Sequence, residues 1–140
     1  MSASDDGVDF RALARFRREL RKFLAFSEKA ASAAGLTGQQ HQALLAIRGL
    51  SERGEMSVGE LAEVLMLRHH SAVELVDRLA RLELVARAVD AADGRRVLVR
   101  LTAAGEEKLR ALSAAHMQEL AAIGPALTHM LQPFGRAGKP

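Results

Sequence analysis

Apolar residues recur at helical spacing from Asp9 to Ala34, through Phe10, Leu13, Phe16, Leu20, Phe23 and Leu24. The opposite face carries Arg11, Arg15, Arg18 and Lys22, and Gly35 follows as a C-terminal cap. Residues 1–8 read as a loose tail. Thr37 and Gln40 have the spacing of a capping box, so a second helix starts there, with Leu44, Leu45, Ile47 and Leu50 as its apolar positions; Gly54 ends the stretch. Ser57 and Glu60 repeat the same box. Val58, Leu61, Ala62 and Leu65 then mark one clean face of a short third helix. After a break at Met66-Leu67, a fourth helix is predicted from about Arg68 to Leu82, with Ala72, Leu75, Val76 and Leu79 on its apolar side. Its other side holds His70, Glu74, Asp77, Arg78 and Arg81, in which Glu74–Arg78 and Asp77–Arg81 are acid-before-base pairs at i,i+4.

The period then changes from helical to alternating. Val85, Arg87 and Val89 alternate with Ala86 and Ala88, and Val97, Val99 and Leu101 with Leu98 and Arg100. The stretch Asp90 to Arg95, with its Asp93-Gly94 step, separates them, so the two runs read as a two-stranded hairpin. Thr102 caps a fifth helix running to about Ala122. Gly124-Pro125 is read as a break, and a short sixth helix, Pro125 to about Leu131, precedes a Gly/Pro-rich tail. The predicted fold is mostly α: a winged helix-turn-helix in the order α-α-α-α-β-β-α-α. Its divisions are 1–35 (tail and first helix), 36–101 (winged helix) and 102–140 (terminal helices and tail).

Length and composition narrow the class. The 140 residues suit one domain, and 49% hydrophobic with 26% charged residues is a globular balance. Phe numbers 5 while Tyr and Trp are absent, so Leu, Ala and Val must fill the core. The absence of cysteine excludes disulfides and thiol chemistry. Asp5, Asp6 and Asp9 make the start unlike a secretory signal and argue against a transit peptide in the Arg-rich stretch that follows. The uncharged stretch Ala30 to Ile47 contains Gly35, Gly38, Gln39, Gln40, His41 and Gln42 and is too polar for a membrane span. A soluble, cytoplasmic protein is expected, with no membrane partner. A formal net charge of +3 is only mildly basic, so the placement of charge matters more than its sum.

That placement points to DNA. In a winged helix-turn-helix the third helix lies across the backbone and the fourth enters the major groove. The fourth begins Arg68-His69-His70-Ser71, a run of donors at the end that meets the bases. The hairpin tip carries Arg95 and Arg96 beside Gly94, which permits the turn, and an exposed tip Arg suits the negative potential of a narrow minor groove. Each piece alone is common in other proteins; their order and lengths together carry the reading. His41, His69, His70, His116 and His129 match no metal-ligand spacing, and adjacent helical His69 and His70 point about 100° apart. No phosphate loop, nucleophile motif or paired carboxylates stand out. The expectation is no enzyme, no metal and no cofactor.

The stretch from Leu36 to Leu112 resembles the MarR family of transcriptional regulators. The resemblance is carried by Leu36-Thr-Gly-Gln-Gln, by Ser57-Val-Gly-Glu-Leu-Ala-Glu-Val-Leu and by Ser71-Ala-Val-Glu-Leu-Val-Asp-Arg-Leu. Its most specific segment is Asp93-Gly-Arg-Arg-Val-Leu-Val-Arg-Leu-Thr-Ala-Ala-Gly, similar to the family's wing signature. The resemblance implies a homodimer reading a pseudo-palindromic double-stranded operator. Arg68, His69, His70 and Ser71 fall where the family reads bases, Arg95 on the wing Arg that enters the minor groove, and Asp93 on the wing Asp that orients it or braces the loop. The first and last helices would form the dimerisation region, where Phe10, Phe16, Phe23, Phe26, Leu120, Ile123, Leu127, Met130 and Leu131 supply more apolar surface than a small lobe needs. An ordinary intramolecular core is the other reading of those residues. The resemblance further implies a repressor released by a small, often aromatic or phenolic, effector bound between the dimer region and the DNA-binding lobe; no pocket residues are identified. The chain departs from the family at Glu74, where a basic residue is common, and at Met66, where many members have Gly. Glu74 could accept from cytosine N4 or simply pair with Arg78. Glu74 and the low net charge also support an alternative, a winged-helix dimerisation or protein-interaction module that has lost DNA binding.

Overall fold

The structure, a computed structural model, describes residues 7–135. Helix α1 (Phe10–Ala33) starts where Asp9 Oδ1 accepts the Ala12 N–H at 2.9 Å. It stops at Gly35, whose φ of +81° lets the chain reverse so that the Leu36 N–H reaches the Ala31 carbonyl at 2.9 Å. Helix α2 (Gly38–Gly49) and helix α3 (Val58–Leu65) both begin with the predicted capping boxes. Thr37 Oγ1 accepts from the Gln40 N–H at 3.1 Å while Gln40 Oε1 accepts from the Thr37 N–H at 3.0 Å. Ser57 Oγ and Glu60 Oε1 make the equivalent bonds at 3.1 and 2.8 Å. Helix α4 (His69–Arg81) follows a tight turn at Met66-Leu67.

Strand β2 (Val85–Val89) and strand β3 (Val97–Leu101) form the predicted hairpin, with Val85 opposite Leu101 and Val89 opposite Val97. The sheet has a third member that the pattern did not reveal. Strand β1 (Glu55–Ser57) pairs antiparallel with the other edge of β3, giving the order β1-β3-β2, with Met56 opposite Val99. Three residues are too few to show alternation, so β1 exists through its partner rather than through its own sequence.

Helix α5 (Ala103–Gly135) corrects a second expectation, because the two terminal helices are one. Pro125 removes one backbone donor, but the helix continues through it and through Pro133. Packing against α1 extends beyond the proline: Phe134 meets Phe16 edge-to-face at 6.1 Å. Tertiary contact has overridden a local break. The last part of the predicted tail, residues 136–140, and residues 1–6 lie outside the described residues.

The core lies where α2, α3, α4 and the sheet converge. Leu44, Ile47, Leu61, Val76, Leu79 and Val99 are fully buried there, so aliphatic residues do fill it. Helix α5 is fastened to the lobe at its start. Thr102 Oγ1 donates to the Glu83 carbonyl at 2.7 Å and accepts from the Gly105 N–H at 3.1 Å. Further along, Lys108 Nζ donates to the Ala34 carbonyl at the end of α1 at 2.8 Å.

Gly105 sits hard against the α4–β2 connection: a Cβ there would lie 2.1 Å from the Leu84 carbonyl oxygen. Backbone cannot yield as a side chain can. Gly105→Ala should therefore destabilise the fold by about 1–3 kcal/mol, read from the urea midpoint. Gly38→Ala is the control. Its new Cβ would lie 2.2 Å from Glu28 Oε2, the end of a flexible chain, and should cost much less.

Candidate nucleic-acid interface

Helix α4 is oriented by its apolar stripe. Ala72, Leu75, Val76 and Leu79 are buried, which turns His69, His70, Glu74, Arg78 and Arg81 outward. Arg68, the N-cap, is also exposed, and Ser71 is half-buried. No side chain caps this helix, so the N–H groups of its first turn stay available to an external acceptor. The two predicted i,i+4 pairs do not form. Asp77 instead pairs with Arg87 of β2, tying the recognition helix to the hairpin, and Glu74 makes no ion pair among the described residues. The reason is geometric: β2 packs beside α4 and offers Asp77 a partner on a fixed strand.

The wing loop, residues 90–96, is held by its own aspartates. Asp90 Oδ1 accepts the Ala92 N–H at 2.9 Å, and Asp93 Oδ1 the Arg95 N–H at 3.1 Å, both Asx turns. The Asp90 N–H closes the loop on the Arg96 carbonyl at 2.7 Å. Gly94 is the residue read as permitting the turn. It is not among the positive-φ glycines of the described residues, which are Gly7, Gly35 and Gly54. The aspartates shape the turn instead. Asp93 Oδ1 also lies 3.5 Å from Arg95 Nε, so this acid both braces the loop and orients the arginine.

The two tip arginines differ. The Arg95 side chain is 94% exposed and projects from the wing. Arg96 turns back and pairs with Glu60 Oε1 of the α3 capping box at 2.6 Å. Glu60 is held below the usual carboxylate range, first by the Ser57 backbone N–H and then by Arg96; Arg96 is raised in turn by Glu60. Arg96 thus latches the wing to the helix-turn-helix, whereas the exposed Arg95 side chain meets only Asp93 of its own loop among the described residues.

A second site lies between α1, α2 and α5. It is an apolar cavity of about 340 Å³ lined by residues including Phe23, Ser27, His41, Leu45, His116 and Leu120. The His116 ring lies 5.8 Å from Phe23, 5.3 Å from Phe26 and 4.8 Å from His41. Its Nδ1 lies 2.7 Å from the Leu112 carbonyl, so Nδ1 carries the proton and Nε2 accepts from the Ser27 hydroxyl at 2.8 Å in the neutral ring. His41 is 3% exposed, and its Nδ1 has no hydrogen-bond partner. Burial, and then the neighbouring His116, lower its pKa below 6.5. No group of three or more metal-ligating side chains occurs among the described residues. Nothing local in the sequence announces that these two histidines meet, because 75 positions separate them.

A tethered recognition helix, a braced wing and a three-stranded sheet define a winged helix-turn-helix protein. Residues 34–96 match a model of the MarR family, the family that the sequence resembles. No curated protein matched by sequence. Among solved structures, a mutant of S. aureus MepR bound to an oligodeoxyribonucleotide superposes with a TM-score of 0.67 at 21% identity, covering 90% of this chain and 99% of that one. AbsC, a MarR-family transcriptional regulator from Streptomyces coelicolor, gives 0.68 at 21% over 96% and 95%. NadR in complex with 4-hydroxyphenylacetate gives 0.70 at 23% over 91% and 86%. These likenesses establish the fold, that of MarR-family transcriptional regulators.

The His41 environment sets a pH dependence. Its folded pKa lies below the unfolded value, so the unfolded chain binds the proton first as pH falls. The associated stability is complete above about pH 6.5 and declines below it. Urea unfolding at pH 7.5 and 5.5 should show a smaller loss in His41→Gln than in the wild type; equal losses would remove His41 as the cause.

Proposed function

We propose that the protein is a dimeric, sequence-specific DNA-binding regulator that represses transcription and is released by a small aromatic effector. The observation that carries this reading is the exposed Arg68-His69-His70 end of α4 beside a wing whose Arg95 side chain is 94% exposed. Arg68, His69, His70 and Ser71 would meet base edges, Arg95 the minor groove, and Glu74 a cytosine N4. Gly94 would support the wing only as a small residue, and Arg96 would hold the wing in place rather than contact DNA.

The terminal helices support a dimer. Phe10 is 71% and Met117 68% exposed, and Leu13, Leu20, Leu24, Leu120 and Leu131 are exposed with them. So much apolar surface on two adjacent helices suits a second copy. Sedimentation should give twice the 15.1 kDa chain mass, and Leu24→Glu with Leu120→Glu should shift it towards the monomer. The cavity between α1, α2 and α5 supports the effector. It is apolar and aromatic, with two imidazoles and a hydroxyl able to orient one polar group. The ligand in NadR is an aromatic acid of a size such a cavity could take.

Fluorescence anisotropy tests the DNA reading, using DNA flanking the protein's own gene and random duplex, each titrated with salt. Selective binding that weakens steeply with log salt is expected. Arg95→Ala should cost about 1–3 kcal/mol on the cognate duplex. His70→Ala should narrow the gap between cognate and random DNA. Equal, weak binding to both duplexes, and to fragments selected from genomic DNA, would favour the protein-interaction alternative.

A further inference from the structure

We propose that Met66, in the turn between α3 and α4, is a sequence-reading residue that contacts a thymine methyl group; this rests on the DNA-binding reading above. Met66 stands at φ +56° and ψ 45°, in the left-handed region that disfavours a side chain. The conformation is imposed by the end of α3. The Met66 N–H reaches the Glu63 carbonyl at 3.2 Å and the Leu67 N–H reaches the Ala62 carbonyl at 2.8 Å, the paired bonds of a Schellman motif. Glycine is the residue that relaxes this position. Met66 is also 90% exposed, the most exposed of the large hydrophobic residues among those described. Its side chain therefore carries backbone strain and gains no burial within the chain.

A comparison within the molecule sharpens the point. Glu83, at the end of α4, has the same geometry with φ +61°. Its side chain is charged and welcome in water, and its carbonyl accepts the Thr102 hydroxyl that anchors α5. Met66 has neither justification. What it has is position: it stands two residues before Arg68, the cap of α4, and three before His69, where α4 begins. An apolar, flexible thioether beside a row of donors suits the one apolar group on the major-groove edge, the thymine C5-methyl.

The test begins with duplexes selected from a random-sequence pool by the wild-type protein. In the selected duplex, each thymine is replaced in turn by deoxyuridine, which removes only the methyl group. Wild type and Met66→Gly are compared by anisotropy, with thermal unfolding alongside. At one thymine per half-site the wild type should lose about fourfold in affinity, the worth of one buried methyl-sized group. Met66→Gly should start about fourfold weaker on the unmodified duplex, lose nothing further at that thymine, and unfold at a higher temperature. Met66→Gly that binds as tightly as the wild type, or that keeps the same uracil sensitivity, overturns the assignment. So does a loss that is equal on selected and random duplexes, which would mean backbone contact. If the wild type enriches no sequence from the pool, the DNA-binding reading fails and this inference with it, an outcome distinct from selective wild-type binding that ignores Met66→Gly.

Discussion

Both edges of strand β3 are paired, and the rest of the winged-helix geometry depends on that fact. Val99, at 1% exposure, lies opposite Met56 of β1 and Arg87 of β2. Strand β1 runs directly into Ser57, the cap of α3, and β2 continues from the end of α4. One strand therefore sets the distance and angle between the wing and both helices of the helix-turn-helix. Two side-chain ties fix what the sheet leaves free: Arg96 with Glu60 joins the wing to α3, and Arg87 with Asp77 joins β2 to α4. These ion pairs are partly exposed and contribute little stability. Their role is geometric, in restricting the hairpin to one pose beside the recognition helix.

Local rules were legible wherever both partners lie within a few residues. The capping boxes at Thr37–Gln40 and Ser57–Glu60, the Gly35 stop and the limits of the hairpin all follow from short-range chemistry and appear as read. Readings that failed did so where a distant partner decided the outcome. Strand β1 is created by β3, some 40 residues away. Asp77 leaves its helical neighbour for Arg87, and α5 continues through Pro125 because α1 lies beneath it. The candidate DNA site was legible as a list, since its residues cluster in two short segments. The division of labour between Arg95 and Arg96 was not, because it depends on Glu60 arriving from α3. The cavity was invisible for the same reason, its histidines belonging to α2 and α5.

The scarce aromatic residues are distributed in a telling way. None of the five phenylalanines belongs to the central core, which is built from Leu, Ile, Val, Ala and Met. Four lie on α1, and Phe134 packs back onto that helix. Phe23 and Phe26 surround His116, and His41 is buried beside it with an unsatisfied nitrogen. An unpartnered buried imidazole nitrogen costs free energy that an apolar residue at the same place would not. The winged-helix core needs no polar group at that point, so the cost is specific to the cavity side of α2.

Helix α2 consequently has two faces with different duties. His41 and Leu45 line the cavity, while Leu44 and Ile47 are fully buried against α3, α4 and the sheet. Successive residues of one rigid helix thus touch both the cavity and the body that carries Arg68, His70 and Arg95. A molecule in the cavity can alter DNA affinity only if it favours one disposition of these parts over another. The elements that line the cavity also reach the lobe: α1 places Ala31 in its core, and Arg48 of α2 is bonded to Glu106 of α5 at 3.0 Å. The Gly105 contact with Leu84 and the Thr102 bonds leave the start of α5 little freedom.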